Sequence, residues 1–191
     1  MSSLLCFEHV ACVRGGRLLF EQVSFELAAG DAMLVRGPNG AGKSSLLRLA
    51  AGLLQPAAGN VQRGADVSLA DDALALDREA PLGRALAFWA KLDGRGPELG
   101  IALGAFNLRR LADVPVRMLS TGQARRARLA RTVASGAPLW LLDEPLNGLD
   151  AASADHLDLA ITAHRHNGGA VVAASHLPLP GGAWRTLELG R

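Results

Sequence analysis

Residues 37–44 read Gly-Pro-Asn-Gly-Ala-Gly-Lys-Ser, and this run constrains the fold more than any other stretch of the chain. Glycines at 37, 40 and 42 are unfavourable inside a helix or strand, because each adds backbone freedom that folding must remove. They do suit a tight loop that turns its N–H groups inward. The apolar segment Ala32-Met33-Leu34-Val35-Arg36 precedes the run and reads as a strand. Leu46, Leu47, Ala50 and Leu54 follow at helical spacing and predict a helix from Lys43 to about Leu54, ended by Gln55-Pro56-Ala57-Ala58-Gly59. Strand, glycine loop and helix in that order, with Lys and Ser at the helix start, form a cradle for phosphates. The loop N–H groups approach the ligand closely and the helix dipole adds positive potential. Lys43 supplies a compact charge for β- and γ-phosphates, and the Ser44 hydroxyl a ligand for Mg2+. Gly37, Pro38, Asn39, Gly40, Ala41, Gly42, Lys43, Ser44 and Ser45 are the candidate binding residues. Lys43 is a deliberate choice: only Lys43 and Lys91 are lysines among 20 basic residues.

The same alternation recurs along the chain. Residues 3–29 read as short strands, with Val23-Ser24-Phe25-Glu26-Leu27 alternating as a half-buried strand does. Residues 74–112 read as mostly helical, broken at Gly94, Gly96 and Pro97, and a second helix runs from Gly122 to about Ser135. Leu139–Leu142 and Gly169–Ala174 are buried strands flanking a helix over Ala151–His166, and residues 180–189 can add an edge strand. Such alternation predicts an α/β fold with a largely parallel sheet. Its domain organisation is a core formed by residues 1–73 and 137–191, with antiparallel β-strands at the N-terminus, and a small helical lobe over about 74–136.

Asp143 and Glu144 end the apolar segment Leu139-Trp140-Leu141-Leu142 and precede Pro145. Two carboxylates at the carboxyl tip of a buried strand stand where α/β sheets bind ligands. Asp143 is the candidate partner of Ser44 in holding Mg2+. Glu144 is the candidate group that activates or orients a water for attack on the γ-phosphate, which favours hydrolysis over transfer to a second substrate.

Residues 118–131, Met-Leu-Ser-Thr-Gly-Gln-Ala-Arg-Arg-Ala-Arg-Leu-Ala-Arg, admit three readings on their own. Ser120 and Gln123 have the spacing of a capping box, the arginines could form a nucleic-acid patch, and a glycine at a helix start can also face an anion. Bulk properties restrain the second reading, since the net charge is only +2. With 49% apolar and 20% charged residues the chain reads as globular. Cys6 and Cys12 fit no metal-binding spacing, so reduced thiols are expected. No signal peptide and no apolar run near the roughly 20 residues of a membrane span are read.

The glycine loop, Leu119-Ser120-Thr121-Gly122-Gln123, Leu142-Asp143-Glu144-Pro145, Leu149-Asp150 and His176, in this order, resemble the motifs of ATP-binding cassette (ABC) ATPases over nearly the whole chain. The resemblance implies a P-loop NTPase fold that binds ATP and Mg2+. It also implies that Ser120, Gly122 and Gln123 close on the γ-phosphate of ATP held by a second copy of the chain. Asp150 would belong to the loop that couples the two sites. His176, just past a buried strand, would contact the γ-phosphate, so Lys43, Glu144 and His176 are the candidate catalytic residues. The chain departs from the family in three places. It has no Tyr, and Val13 or Arg14 falls where the family puts an aromatic near adenine, so Arg14 would stack its guanidinium on the base. The Gln expected after the strand that follows the P-loop helix is missing from residues 67–74, where Asp71 or Asp72 would stand in. Thr121 replaces the usual second glycine.

Within this family the chain is similar to the ATPase subunits of haem exporters in cytochrome c maturation, through residues 14–20, 119–126 and 168–179. That implies a peripheral subunit on the cytoplasmic face of the inner membrane, partnered by multi-spanning membrane subunits. It implies no nucleic-acid partner, no insertion into the membrane and no direct contact with haem. The arginines of 123–131 are then expected to line a nucleotide-sandwich edge or a solvated face. DNA-repair and translation ATPases, P-loop kinases or GTPases and a non-hydrolysing regulatory cassette are the competing readings.

Overall fold

The computed structural model describes residues 3–73, 75–94 and 99–190. The expected helix breaks at Gly96 and Pro97 lie outside them.

Leu5–Arg14 (β1) and Arg17–Leu27 (β2) form one long antiparallel hairpin rather than several short strands. Ala32–Arg36 (β3) leads into Lys43–Ala50 (α1), then Ala58–Arg63 (β4) and Val67–Ala70 (β5). Three helices follow, Leu82–Leu92 (α2), Leu99–Ala105 (α3) and Thr121–Ala134 (α4). Leu139–Asp143 (β6), Ala151–His166 (α5), Ala170–Ala174 (β7) and Arg185–Glu188 (β8) complete the chain. One sheet has the order β2-β1-β4 and is antiparallel; the other has the order β5-β6-β7-β3-β8 and is parallel throughout.

The period-2 geometry of the parallel strands divides the apolar residues between two cores. Leu34, Trp140, Leu142, Val171 and Ala173 face one way, into a core shared with the helical segment and α5. Met33, Val35, Leu139, Leu141, Val172 and Ala174 face the other way, against α1 and the antiparallel sheet. Strands covered on both faces must be apolar at nearly every position, which is why β6 and β7 read as continuous apolar runs. Because all strands of this sheet point the same way, the loops after β6, β7 and β3 emerge side by side. The end of β6 and these loops carry Asp143-Glu144, His176 and residues 37–42.

One local expectation is corrected and one strand was not anticipated. α1 stops at Ala50 rather than near Leu54, because Gly52 takes a left-handed φ of 75°. Leu53 N–H then donates to Arg48 O at 2.9 Å and Gly52 N–H to Leu49 O at 3.1 Å, an early helix termination. β4 was not legible in the sequence: Ala-Gly-Asn-Val-Gln-Arg is solvent-facing except at Val61. It forms because β1 has a second free edge, where Leu5 pairs with Arg63 and Phe7 with Val61.

Candidate nucleotide site

The P-loop leaves β3 and enters α1 through Gly42, whose φ is 99° and which offers no side-chain cap. A Cβ at Gly42 would lie 2.9 Å from the Phe20 ring, so the hairpin itself demands glycine there. An uncapped helix start leaves the first-turn N–H groups available to an anion. Lys43 Nζ folds back to donate to Gly37 O at 2.9 Å and Pro38 O at 3.2 Å.

Around this loop lies a cleft of about 410 Å3, lined by Arg14, Asn39, Lys43, Ser44, Asp143 and His176 among others. His176 Nε2 lies 3.3 Å from Lys43 Nζ, 3.0 Å from Asn39 Oδ1 and 3.3 Å from Glu144 Oε1. His176 N–H donates to Glu144 Oε2 at 3.4 Å. Residues separated by up to 137 positions thus meet at one point. Glu144 also has φ 47°, a left-handed conformation that a residue with a side chain adopts only when its surroundings enforce it. Its N–H donates to Ala174 O at 2.9 Å, which ties it to the end of β7.

Burial pushes the Asp143 carboxyl above the usual carboxylate range, while a hydrogen bond from Ser44 opposes the shift and the charges of Asp72, Glu144 and Asp71 add to it. A hydroxyl and a poorly solvated carboxylate in contact are an oxygen donor pair that suits Mg2+. Among the described residues no group of three or more His, Cys, Asp or Glu could hold a metal ion. An ion here would draw its other ligands from phosphate oxygens and water.

The raised Asp143 pKa has a stability consequence. In the native state the group keeps its proton to higher pH than in the unfolded chain. Stability is therefore lost as pH rises from the ordinary carboxylate pKa through the raised one, and the loss persists at neutral pH. Asp143→Asn should raise the melting temperature of the nucleotide-free protein at pH 7 by a few degrees. Thermal unfolding at pH 7 and at pH 3 checks this, since the gain should shrink at the lower pH. A variant less stable than wild type at pH 7 would contradict the cost assigned to this charge.

Ser120 caps α4 with the full reciprocal box: Gln123 N–H donates to Ser120 Oγ at 3.3 Å and Ser120 N–H to Gln123 Oε1 at 2.9 Å. Ser120, Gly122 and Gln123 do not line the cleft of their own chain. Gly122 faces open space. Asp150 caps α5 by accepting Ser153 N–H at 2.8 Å, and the hydrogen bonds from Ser153 hold its carboxyl below the usual range. Asp71 pairs with Arg48 at 3.8 Å and Asp72 with Arg128 at 3.5 Å; neither lines the cleft. Arg14 does, at the hairpin tip where it pairs with Arg17. Leu19 also lines the cleft. The hairpin signal, Gly15-Gly16 between Arg14 and Arg17, could have placed it.

The arginines of α4 are half-buried and held by neighbouring segments rather than forming a solvated face, one of the two placements expected for them. Arg125 donates to Asn147 O, Arg126 to Phe106 O at 3.1 Å, and Arg131 lies over the Trp89 ring at 4.1 Å. Each of these three, like Arg128, is tied to a neighbouring segment of the same chain. A larger groove of about 820 Å3 opens between α3 and α5 near the start of β6, but it carries no Asp, Glu, Lys or Arg and offers nothing to a triphosphate.

Known proteins bear on this geometry. The ABC transporter family model matches residues 20–147. The chain is 59% identical to the cytochrome c biogenesis ATP-binding export protein CcmA of Sphingopyxis alaskensis, covering 94% of this chain and 93% of that one. It is 53% identical to the protein of the same name in Zymomonas mobilis, over 97% of this chain and 84% of that one. In fold it matches the ATP-binding subunit of an ABC transporter with TM-score 0.83 at 21% identity, covering 91% of this chain and 80% of that one. It also matches a dimeric, post-hydrolysis ATP-binding cassette bound to ADP and Pi with TM-score 0.80 at 19% identity, covering 91% and 88%. A P-loop, an acidic pair and a histidine converging at the ends of three parallel strands, together with these relatives over nearly its full length, show that the chain belongs to the ABC transporter family, among its cytochrome c biogenesis ATP-binding export proteins.

Proposed function

We propose that the chain is the ATPase subunit that energises haem export for cytochrome c maturation. One observation carries the hydrolytic part: Lys43, Asn39, Glu144 and His176 converge within 3.3 Å contacts at the mouth of the P-loop. The export pathway rests on the curated relatives.

With ATP bound, Lys43 leaves the carbonyls of Gly37 and Pro38 and turns to the β- and γ-phosphates. Ser44 and Asp143 would hold Mg2+, which when bound would neutralise phosphate charge and polarise the γ-phosphoryl group. Glu144 takes up or orients the proton of the attacking water. Its side chain is aimed by His176 N–H and its backbone by Ala174 O. His176 Nε2, beside Glu144 and Lys43, then faces the γ-phosphate. Arg14 stacks on the base.

Two copies sandwich two ATP molecules. Ser120, Gly122 and Gln123 lie off their own cleft and reach the nucleotide of the other copy, and the loop at Asp150 links the sites. The assembly sits on the cytoplasmic face of the inner membrane through multi-spanning subunits. No helix among the described residues is long and apolar enough to cross a membrane.

Removing the gene from its host should abolish covalent haem attachment to c-type cytochromes, read by haem staining of denaturing gels. Wild type should restore it and Lys43→Ala should not. Normal c-type cytochromes in the deletion strain would overturn the pathway and leave the ATPase reading standing.

A further inference from the structure

Glu144 is held in its left-handed conformation by a short relay of backbone contacts. Its N–H donates to Ala174 O at 2.9 Å, and its own carbonyl accepts from Asn147 N–H at 3.1 Å. The next carbonyl in the relay, Asn147 O, accepts from the Arg125 guanidinium. The first contact anchors the turn to the sheet. The last anchors it to α4, less than two turns from the Ser120 cap.

The fit around Arg125 is close. Gly148 has φ 62°, a conformation that favours glycine, and a Cβ there would have to displace the Arg125 guanidinium. Arg125 also borders a small space of about 20 Å3 together with Asp143, Glu144 and Asn147. A strained backbone persists only when its neighbours over-determine it. Here the sheet fixes one end of the turn, and the Arg125 side chain fixes the other.

We infer that Arg125 is a positioning residue for Glu144, and that it carries the position of the α4 start to the hydrolytic group of the same chain. This rests on the reading of Glu144 given under Proposed function. When the Ser120 end of α4 docks against the partner's nucleotide, the shift of α4 reaches Asn147 O through Arg125 and resets the turn that aims Glu144. One copy's nucleotide thereby influences hydrolysis in the other's site.

The test compares Arg125→Ala and Arg125→Lys with wild type. Arg125→Ala should lower kcat about tenfold or more, with KM for ATP and the Kd for a fluorescent ATP analogue within about twofold of wild type. The Hill coefficient for ATP should fall toward one. Arg125→Lys, whose ammonium can still serve a single carbonyl, should recover part of kcat and of the cooperativity. In a Glu144→Gln background, Arg125→Ala should cost almost nothing further, because both changes act on one group. A lower melting temperature with unchanged kcat would overturn the inference and leave Arg125 as a structural tie. A full additional loss of kcat in the Glu144→Gln background would also overturn it. Wild-type turnover by Glu144→Gln alone would instead defeat the hydrolytic reading itself.

Discussion

Glu144→Gln should lower steady-state ATP turnover at least about a hundredfold while leaving ATP affinity within about twofold of wild type. The substitution is nearly isosteric. Gln keeps a carbonyl oxygen to accept from His176 N–H, now 3.4 Å from Glu144 Oε2. The backbone contacts to Ala174 and Asn147 do not involve the side chain. The φ of 47° is unaffected in kind, since Gln and Glu share the same steric demand at Cβ. What is removed is the ability to take a proton from water. Binding depends on the P-loop N–H groups, Lys43 and Ser44, which line the same cleft and are unchanged by the substitution. The ATP-bound sandwich should therefore accumulate, visible as a dimer in size-exclusion chromatography with ATP and Mg2+. Phosphate release and equilibrium nucleotide binding check the two halves of the expectation. Turnover equal to wild type would remove Glu144 from the reaction.

The site was legible in the sequence because each of its parts is local. Residues 37–44 and 139–145 each encode strand, bend and ligand within one short run, and parallel strands then bring the two bends together without further instruction. His176 was legible only through the family resemblance, which points to a histidine beyond a buried strand. Features that depend on tertiary neighbours were not. β4 has the composition of a solvent loop and becomes a strand only because β1 offers it an edge. α1 loses its expected last turn to the left-handed Gly52. The arginines of α4 show the limit most clearly. A sequence of Arg125, Arg126, Arg128 and Arg131 has the same pattern whether it faces water or a neighbouring segment. The destinations, Asn147 O, Phe106 O, Asp72 and the Trp89 ring, are distant in sequence from α4 or carry no recognisable motif. Of the two placements expected for the charge run, the solvated face fails because its side chains are half-buried against neighbouring segments, although the helix itself was anticipated.

Ser120→Arg should abolish ATP hydrolysis while the monomer still binds ATP within about twofold of wild type. Ser120 is exposed at the start of α4 and does not line its own cleft, so substitution there cannot obstruct the resident nucleotide directly. An Arg side chain would occupy the space that the second copy's γ-phosphate needs at the helix start. It would also remove the Ser120 cap on Gln123 N–H, at a cost of about 1 kcal/mol, so a small drop in melting temperature accompanies it. Ser120→Asp separates these effects. Asp caps helices as well as Ser does and should leave the melting temperature near wild type. Yet its carboxylate would confront a phosphate across the dimer, and like charges in a desolvated contact repel. Hydrolysis lost in Ser120→Asp with stability intact would place the α4 start against a nucleotide held by the other copy. Hydrolysis retained in Ser120→Asp, or ATP binding lost by the Ser120→Arg monomer, would place the helix start elsewhere.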